Sequence, residues 1–511
     1  MKNEVNRAQY GQRKTFFSLA AKKAHKITAY AASTLLVCTF ACCDLKMQPI
    51  SEVGDGAFYK STTEVNAAVV ACYNGLQKPM EYEWMLTELR SDNSRLHTSA
   101  TTSTDRTMQL DFDQSRVSAT SEHVYNYWKA VYHNIARCNV VLMHLDAVTV
   151  DSLRTQYEAE ARCIRGYHYF NLVRLFGPVF IVDKRLDAVS ALNYERASVE
   201  EVYNFLTADL QFAADNLPVT YPASEQGRLT SWAAKGLLAK VRMTQGLYDN
   251  TTKDLLKDII EHGGFDLEPT YAAVFDINNE LNPEIIFTIR YTSGGIGLGS
   301  PFGNLFAPLQ SGASVVNGGG SGYNYPTDDL VSSYSSSDTR RPITLALDYT
   351  NERGQVVDRR YVTKYLSPVT LSKDGDKDWP VLRYADILLL YAEVLNELDG
   401  PDAALPYINR TRERAGLSSL TGAQVGNKHQ MRMAIEKERR LELAYENQRW
   451  FDLIRTNRVI EVMTEHWNTE SYYTSIIAET GPIVLNENLI LLPIPQKEID
   501  INQVITQNMG Y

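Results

Sequence analysis

The stretch YADILLLYAEVLNELDGPDAALPYINRTRERA, residues 384–415, decides the fold. Apolar residues recur at every third or fourth position from Tyr384 to Leu398 and again from Ala403 to Ala415, which predicts two amphipathic helices. The pair Gly400-Pro401 lies between them and is a strong turn signal. Helix–turn–helix units of about 34 residues are typical of tetratricopeptide repeats. This segment therefore predicts one helical hairpin of a repeat scaffold.

The same periodicity recurs upstream and predicts further helices, the earliest of them capped by Thr62 or Thr63. The predicted helices are Glu64–Gln77, Tyr125–Leu145 followed by Glu158–Phe176, and Val199–Asn216 followed by Ser231–Tyr248. Several helix pairs in one chain favour a mostly α fold with a tetratricopeptide-like helical-repeat scaffold.

Two stretches break this pattern. Residues 91–121 are rich in Ser and Thr and have almost no apolar periodicity, which predicts a long loop. Residues 285–379 begin with the strand-like IIFTIRY and continue into a Gly/Ser/Tyr-rich tract. This second stretch predicts loops with small hairpins, inserted between the helical parts.

The charge distribution excludes one class of partner. The chain of 511 residues has a formal net charge of −10, although residues 1–41 contain seven Lys/Arg and a single Glu. The remainder is therefore more acidic than the total suggests. Nucleic-acid binding needs clustered Lys and Arg to neutralise phosphates, so no nucleic-acid partner is predicted.

The N-terminus carries an export signal. Lys22, Lys23 and Lys26 precede a charge-free run, Ile27–Ala41, which is too short to span a membrane and ends at two cysteines. A cysteine at the end of such a run is typical of bacterial lipoproteins, in which it becomes the diacylated N-terminus. Cys42 follows Ala41 and is the predicted lipidation site, with Cys43 as the alternative.

The cysteines that follow Cys43 in the sequence are Cys72, Cys138 and Cys163, and all three lie in helix-like patterns. This placement predicts buried free thiols rather than a disulfide framework. Neither the cysteines nor the nine histidines show zinc-ligand spacing. No metal and no cofactor are predicted.

Glu438 and Glu442 lie one helical turn apart and resemble an acid/base pair. However, Arg439, Arg440 and Arg449 are close in sequence and would keep both carboxylates ionised, whereas a general acid needs a raised pKa. These residues are therefore predicted to form a structural ion-pair network, as are Arg383, Asp386 and Glu393.

Several motifs resemble those of the SusD/RagB family of outer-membrane nutrient-binding lipoproteins. Three C-terminal segments carry the resemblance: WPVLRYADILLLYAEVLNE (379–397), IEKERRLELAYENQRWFDLIRTN (435–457) and LLPIPQKEIDINQVITQNMGY (491–511). Upstream, RCIRGYHYFNLVRLFGPVFIV (162–182), LTELRSDNS (86–94) and Cys43–Leu45 are also similar to the family. One departure is Gln503, where the family usually has proline.

The resemblance implies four tetratricopeptide-like units packed against a more variable region. It also implies a lipid anchor in the outer membrane and a partner transporter, a TonB-dependent barrel of the SusC type. The implied activity is capture of an oligosaccharide or a peptide, without catalysis and without a cofactor.

Together, the patterns and the resemblance predict five segments. They are a signal peptide (1–41), a lipid anchor and tether (42–63), an N-terminal helical part (64–284), a variable loop- and hairpin-rich region (285–379) and a C-terminal helical part (380–511).

Ligand-binding candidates are aromatic and polar residues in the irregular parts, because sugar rings offer apolar C–H faces and hydroxyl edges. One group lies in or at the end of the inserted region, and a second precedes the long polar loop. The candidates are Phe302, Tyr323, Asn324, Tyr325 and Trp379 in the first group, and Arg90, Asp92 and Asn93 in the second. Trp467, Tyr472 and Tyr473 form a third aromatic group, predicted to lie in a loop.

Three alternatives to oligosaccharide capture remain open at this stage. The same architecture could bind peptides, as RagB-like members are thought to do, and a shortage of aromatic platforms would favour that reading. A glycoside hydrolase would use carboxylates that we assign to structure. A purely structural subunit would anchor a transporter complex without binding a ligand.

We expect the substitution Cys42→Ser, combined with Cys43→Ser, to move the protein from the membrane fraction to the soluble fraction. A pair of acyl chains gives firm attachment because each buried CH₂ contributes about 0.8 kcal/mol. Fractionation followed by immunoblotting measures the distribution, and the single Cys43→Ser variant is the control. Unchanged membrane association of the double variant would refute the anchor.

Overall fold

A computed structural model describes residues 58–97, 104–184, 186, 188–502 and 504–511. The residues from Tyr59 onward form one compact unit. The predicted signal peptide, the lipidation site at Cys42 or Cys43 and most of the predicted tether lie outside the described residues, as does Gln503. These predictions therefore remain predictions.

Most of the regular structure is helical. The helices are α1 (Thr62–Asn74), α2 (Gln77–Leu86), α3 (Thr104–Asp113), α4 (Glu122–Met143), α5 (Asp151–Phe176), α6 (Ala188–Ala191), α7 (Val199–Asn216), α8 (Ser231–Thr244), α9 (Asn250–His262), α10 (Tyr271–Val274), α11 (Phe302–Phe306), α12 (Asp328–Ser333), α13 (Arg341–Thr344), α14 (Tyr384–Leu398), α15 (Pro401–Arg414), α16 (Lys428–Glu442), α17 (Arg449–Arg455), α18 (Val459–Thr469), α19 (Ser471–Thr480), α20 (Glu487–Ile490) and α21 (Gln496–Ile501).

The strands form small antiparallel pairs. They are β1 (Ser94–Arg95), β2 (Ile285–Ile289), β3 (Tyr325–Pro326), β4 (Leu345–Thr350), β5 (Val356–Val362) and β6 (Trp379–Arg383). Strand β1 pairs with β3, β2 with β6, and β4 with β5. Each sheet of the described chain therefore has two strands, and every strand has one unpaired edge.

The predicted fold class is confirmed, since helical hairpins build the body. Helix α4 packs on α5, α7 on α8, and α14 on α15. The turn between α14 and α15 is made by Gly400, whose φ of 97° suits glycine, and by Pro401 at the first helical position. The sequence signal at 384–415 thus corresponds to a real helical hairpin.

The start of α1 differs from the prediction. Ser61, rather than Thr62 or Thr63, is the N-cap, and its hydroxyl accepts a hydrogen bond from the Glu64 N–H at 3.3 Å. The Glu64 carboxylate in turn accepts from the Lys60 N–H at 2.8 Å. The bond to the Ser61 hydroxyl satisfies one backbone donor that a helix start leaves open, so the helix begins earlier than its apolar pattern suggests.

Helices α5 and α7 approach closely and are joined by a buried ion pair. The Arg165 guanidinium donates to the two carboxylate oxygens of Asp209 at 2.8 and 2.9 Å. A Cβ atom at Gly166 would lie 3.0 Å from Leu210 Cγ, so the absence of a side chain permits the approach. A bidentate pair fixes the helices in register as well as in contact.

The three described cysteines, Cys72, Cys138 and Cys163, are free and buried, which confirms the prediction for them. Burial raises the pKa of the Cys138 and Cys163 thiols well above the usual range. They therefore act as small apolar side chains between the helices.

The inserted region contains an aromatic cluster of its own. The Tyr365 and Trp379 rings stack with centroids 4.4 Å apart and an interplanar angle of 4°, and Phe302 lies 4.5 Å from Trp379. Phe302 and Trp379 have exposures of 0% and 1%. Helix α8 covers β2 and β6 on the helical side. The region is thus anchored by packed rings rather than being loops alone.

We expect Trp379→Ala to lower the free energy of unfolding by about 3–5 kcal/mol, because it removes a buried aromatic side chain and leaves a cavity. Trp379→Phe should lower it less. Urea denaturation followed by circular dichroism measures both. Tyr325→Ala, at a half-buried position, is the control and should change stability by about 1 kcal/mol or less. An equal loss in the two alanine variants would contradict the assignment of Trp379 to the core.

Candidate functional site

Two segments distant in sequence meet at the short sheet β1–β3. Arg95 lies opposite Tyr325, and Ser94 opposite Pro326. Asn324 adopts a left-handed φ of 55°, and its side-chain oxygen accepts a hydrogen bond from the Ser94 hydroxyl at 2.6 Å. Thr327 closes the far side, since its hydroxyl donates to the Asp92 carbonyl at 2.9 Å. The candidate Asn324 therefore holds the two strands together.

Asp92 and Asn93 lie beneath this sheet and are buried. The Arg449 guanidinium donates to both Asp92 carboxylate oxygens at 2.7 and 2.9 Å, and Arg440 lies 3.1 Å from the same carboxylate. Burial alone would raise the pKa of Asp92, but these two guanidinium groups hold it well below its usual range. Asn93 accepts from Arg440 Nε at 2.8 Å and donates to Glu88 at 2.9 Å. The candidates Asp92 and Asn93 therefore hold the sheet β1–β3 in place from its buried side.

Arg90 is also buried, with its guanidinium 4.1 Å from the centroid of the Trp450 ring. One of its nitrogens donates to the carbonyl oxygens of Leu489 and Ile490 at 3.0 and 2.9 Å. Burial lowers the pKa of Arg90 to about 10. This candidate therefore ties the β1 segment to the C-terminal part of the chain.

Above the sheet, three side chains form what we term the Tyr–Arg–Tyr stack. The Arg95 guanidinium lies between two rings, 4.4 Å from the centroid of Tyr325 and 4.6 Å from that of Tyr472. The His97 ring is 4.9 Å from Tyr325, and Arg95 Nε lies 3.4 Å from the Glu470 carboxylate. Both tyrosines are half-buried. The stack thus brings two half-buried tyrosines together with a guanidinium group whose side chain is 12% exposed.

The third aromatic group does not lie in a loop, as predicted, but in helices. Trp467 belongs to α18 and Tyr473 to α19, with exposures of 2% and 1%. Tyr472 is the member that reaches the stack. Its partner Tyr325 precedes it by more than a hundred residues, and the sequence carries no signal of that contact.

The predicted long polar loop contains a helix. Helix α3 (Thr104–Asp113) buries Gln109, Phe112 and Asp113, and only Phe112 of these three is apolar. The mixed face explains why apolar periodicity did not reveal the helix. The Tyr473 hydroxyl donates to the Asp113 carboxyl, whose pKa burial raises to about 7. This hydrogen bond attaches helix α3 to Tyr473, the neighbour of Tyr472 in the stack.

Tyr323 stacks on Trp84, with centroids 5.5 Å apart and an interplanar angle of 19°. Trp84 is buried in the core and Tyr323 is half-buried. Of the eight predicted binding residues, Tyr325 is part of the stack. Tyr323, two positions earlier in the sequence, is also half-buried. The other six are buried: Arg90, Asp92, Asn93, Phe302, Asn324 and Trp379.

A glycine-rich loop of the inserted region is fixed by three aspartates at alternating positions. The Asp374 carboxylate accepts from the N–H groups of Gly294 and Gly295, each at 2.8 Å. Asp376 accepts from the Ser293 N–H at 2.6 Å, and Asp378 from the Tyr291 N–H at 2.8 Å. The segment DGDKD (374–378) therefore holds the glycine-rich loop in place through these hydrogen bonds. In the described chain no three His, Cys, Asp or Glu side chains gather in a way that could hold a metal ion.

Glu438 and Glu442 are buried and ion-paired, as predicted, but with other arginines. Glu438 contacts Arg340 at 2.6 Å, and Glu442 contacts Arg340 and Arg383 at 3.1 Å each. Arg414 also pairs with Glu442. Burial would raise the pKa of Glu442, but the surrounding guanidinium groups of Arg414, Arg383 and Arg340 hold it well below its usual range. This carboxylate cannot donate a proton near neutral pH.

The arginines that were predicted to pair with Glu438 and Glu442, namely Arg439, Arg440 and Arg449, have other partners. Arg439 pairs with Asp386 and Asp452, while Arg440 and Arg449 share Asp92. Residues four apart on a helix share a face, whereas the next residue points about 100° away. The ion pairs of the predicted network therefore form three separate groups, around Glu442, Arg439 and Asp92.

A cavity of about 470 Å³ lies between α14, α16 and α17. The sequence analysis did not predict this cavity. Its charged lining is already paired: Arg455 with Glu393 at 2.9 Å, Arg432 with Glu397 at 2.7 Å, and Arg439 with Asp452 at 2.9 Å. It shares no lining residue with the Tyr–Arg–Tyr stack. No helix in the described ranges has the length and apolar character needed to cross a membrane.

Two family models match the chain. One, described as the SusD family, matches residues 347–511, and the other, described as starch-binding and associating with the outer membrane, matches residues 52–243. The SusD-like proteins P25 and P2 of Formosa agariphila are each 27% identical to the chain. The P25 alignment covers 93% of this chain and 98% of that protein, and the P2 alignment covers 96% and 100%.

Solved structures share the fold. Surface glycan-binding protein A from Bacteroides thetaiotaomicron, in complex with laminarihexaose, has a TM-score of 0.75 at 23% identity and covers 87% of this chain and 99% of that chain. A laminarin binding SusD-like protein has a TM-score of 0.75 at 25% identity and covers 89% of this chain and 100% of its own.

The buried Glu88 beneath the stack gives a pH-dependent prediction. Burial raises the pKa of Glu88 to about 7, although bonds from Asn93 and the Tyr445 N–H lower it in part. The folded state therefore holds this proton more tightly than the unfolded state, and its contribution to stability falls as pH rises towards 7. The free energy of unfolding of wild type minus that of Glu88→Gln should decrease from pH 5 to 7, by up to about 1.4 kcal/mol per pH unit.

Urea denaturation at several pH values measures this difference. Glu479→Gln, at an exposed position in α19, is the control and should follow the wild-type profile. A difference between wild type and Glu88→Gln that stays constant or increases with pH would show that the folded state does not retain the proton.

Proposed function

The chain belongs to the SusD/RagB family, and from this premise we propose that it captures an oligosaccharide at the cell surface and passes it to a SusC-like TonB-dependent transporter. The residues before 64 would serve as signal peptide, lipid anchor at Cys42 or Cys43, and tether to the outer membrane. The helical body would be the rigid frame, and the irregular segments would carry the ligand.

The observation that carries this proposal is the Tyr–Arg–Tyr stack beside His97. The two half-buried tyrosines would add apolar contact with a sugar, while Arg95 and the phenol groups would bond its hydroxyl edges. The stack rests on the ion-paired sheet β1–β3, so its rings are held before a ligand arrives. Such preorganisation reduces the entropy lost on binding. Two structural neighbours named for glycan or laminarin binding support the ligand class.

The carboxylates support binding rather than hydrolysis. A glycoside hydrolase places two carboxyl groups on either side of an accessible bond, and one of them has a raised pKa. Glu438 and Glu442 are buried and bonded to arginines. Glu88 and Asp113 have raised pKa values, but both are buried beneath the stack region, where a substrate cannot reach them. We therefore propose that the protein is not an enzyme.

One observation favours a second candidate, peptide capture by the same architecture. In the described part of the chain, every Phe, Tyr and Trp is buried or half-buried. A surface without open aromatic platforms offers a sugar ring less stacking area, whereas a peptide needs mainly polar groups and small apolar contacts. The two candidates predict different ligands for the same stack.

We expect Tyr325→Ala and Tyr472→Ala each to weaken oligosaccharide binding at least tenfold, about 1.4 kcal/mol, because each removes one ring of the stack. Isothermal titration calorimetry with laminarihexaose and a panel of other oligosaccharides measures the affinity. Tyr407→Ala, which removes a half-buried ring from α15 in the helical frame, is the matched control and should bind as wild type.

Unchanged affinity in both stack variants would remove the proposed site. Saturable binding of peptides, and of no oligosaccharide, would establish the second candidate instead. Release of shorter sugars during incubation, lost on Glu438→Gln, would overturn the non-catalytic assignment.

A further inference from the structure

One edge of strand β2 is not paired with any strand of the described residues. The strand pairs on one side only, with β6, and within the described chain the backbone of residues 286–289 makes no hydrogen bond outside that ladder. In an antiparallel pair, alternate residues direct their N–H and C=O groups away from the partner strand. Such groups are a template for one more strand.

A cleft of about 240 Å³ runs along β2, and Ile285, Ile286, Phe287 and Thr288 all line it. Side chains of consecutive strand residues point to opposite faces. Two register shifts interrupt the ladder between Ile285 and Thr288, so the alternation is not regular there. All four residues nevertheless line the cleft, which therefore runs along the outer edge of the strand.

The opposite wall of the cleft is fixed. It is formed by the connection between α7 and α8, including Val219, Tyr221 and Arg228. The Tyr221 hydroxyl donates to the Leu229 carbonyl at 3.0 Å, and the Leu229 N–H donates to the Tyr73 hydroxyl at 2.9 Å. Arg228 is held by Glu160 at 3.0 Å. The cleft is thus preformed, which lowers the cost of binding.

The geometry identifies the occupant. A row of backbone donors and acceptors along an edge matches the backbone of an extended peptide. The rim is apolar, since Val219 and Leu281 have exposures of 53% and 39%. Residues Ile286–Ile289, backbone included, have exposures of 7% or less, so the edge is recessed. A second copy of β2, equally recessed, cannot enter this cleft, whereas a single extended segment can.

We infer that the edge of β2 is a docking site for an extended peptide segment of a partner protein, which adds to the sheet as a third strand. The five residues of β2 rise about 3.4 Å each, so they pair with a segment of similar length. Apolar side chains at alternate positions of the segment would meet the rim. The cleft shares no lining residue with the Tyr–Arg–Tyr stack, so this inference stands independently of the proposed function.

Fluorescence polarisation with a fluorescein-labelled peptide, Val-Thr-Val-Thr-Val, tests the inference. A second peptide, methylated at every amide nitrogen, keeps the side chains and loses the donors. We expect saturable binding of the first peptide and at least tenfold weaker binding of the second. Bound peptide should also slow amide hydrogen exchange within residues 285–289.

A matched pair of variants locates the site. Leu281→Asp places a charge on the rim and should weaken binding at least fivefold. Leu247→Asp alters a leucine of nearly equal exposure, 40%, outside the cleft and should bind as wild type. Tyr325→Ala should also leave peptide binding unchanged, which separates this site from the stack.

Three results would overturn the inference. They are no saturable binding up to about 1 mM peptide, equal affinity for the two peptides, and equal losses in the two leucine variants. A dimer seen by light scattering and dissolved by Leu281→Asp would also overturn it, because the occupant would then be a second copy of the chain.

Discussion

The buried guanidinium of Arg383 is the interaction on which the rest of the structure depends. Its nitrogens donate to both oxygens of Glu446 at 2.8 Å each and to Glu442 at 3.1 Å, and it also pairs with Glu284. These partners join β6, α16 and the segment before β2. Removing one partner from a buried pair leaves an uncompensated charge, which costs about 3–5 kcal/mol. These three carboxylates are therefore bound to arginine in the interior and serve the fold.

This constraint explains why the site lies where it does. A separate network, around Asp92, Arg440 and Arg449, holds the β1 segment against α16 and α17. The sheet β1–β3 rests on that network, and the stack rests on the sheet. A site supported by buried ion pairs keeps its geometry without a ligand. Four of the predicted binding residues, Arg90, Asp92, Asn93 and Asn324, thus act one layer below the surface.

The helical hairpins could be predicted because their signal is local. Periodic apolar residues and the pair Gly400-Pro401 define α14 and α15 within a short window of sequence. Helix α3 was missed because Gln109 and Asp113 occupy its buried face, and polar residues carry no periodic signal. Phe302 and Trp379 were assigned to a binding surface because they lie in or at the end of the irregular inserted region, and loops usually lie outside the core. The region instead packs these rings against Tyr365.

The pairing of Tyr325 with Tyr472 through Arg95 could not be predicted, because no rule of sequence spacing links residues so far apart. The same is true of the β2 edge, since IIFTIRY predicts a strand but not the number of its neighbours. Both features arise where the inserted region meets the helical frame. The frame needs only periodic residues and ion pairs, and many sequences satisfy it. The junctions depend on individual side chains, so their geometry can change while the helical frame stays the same.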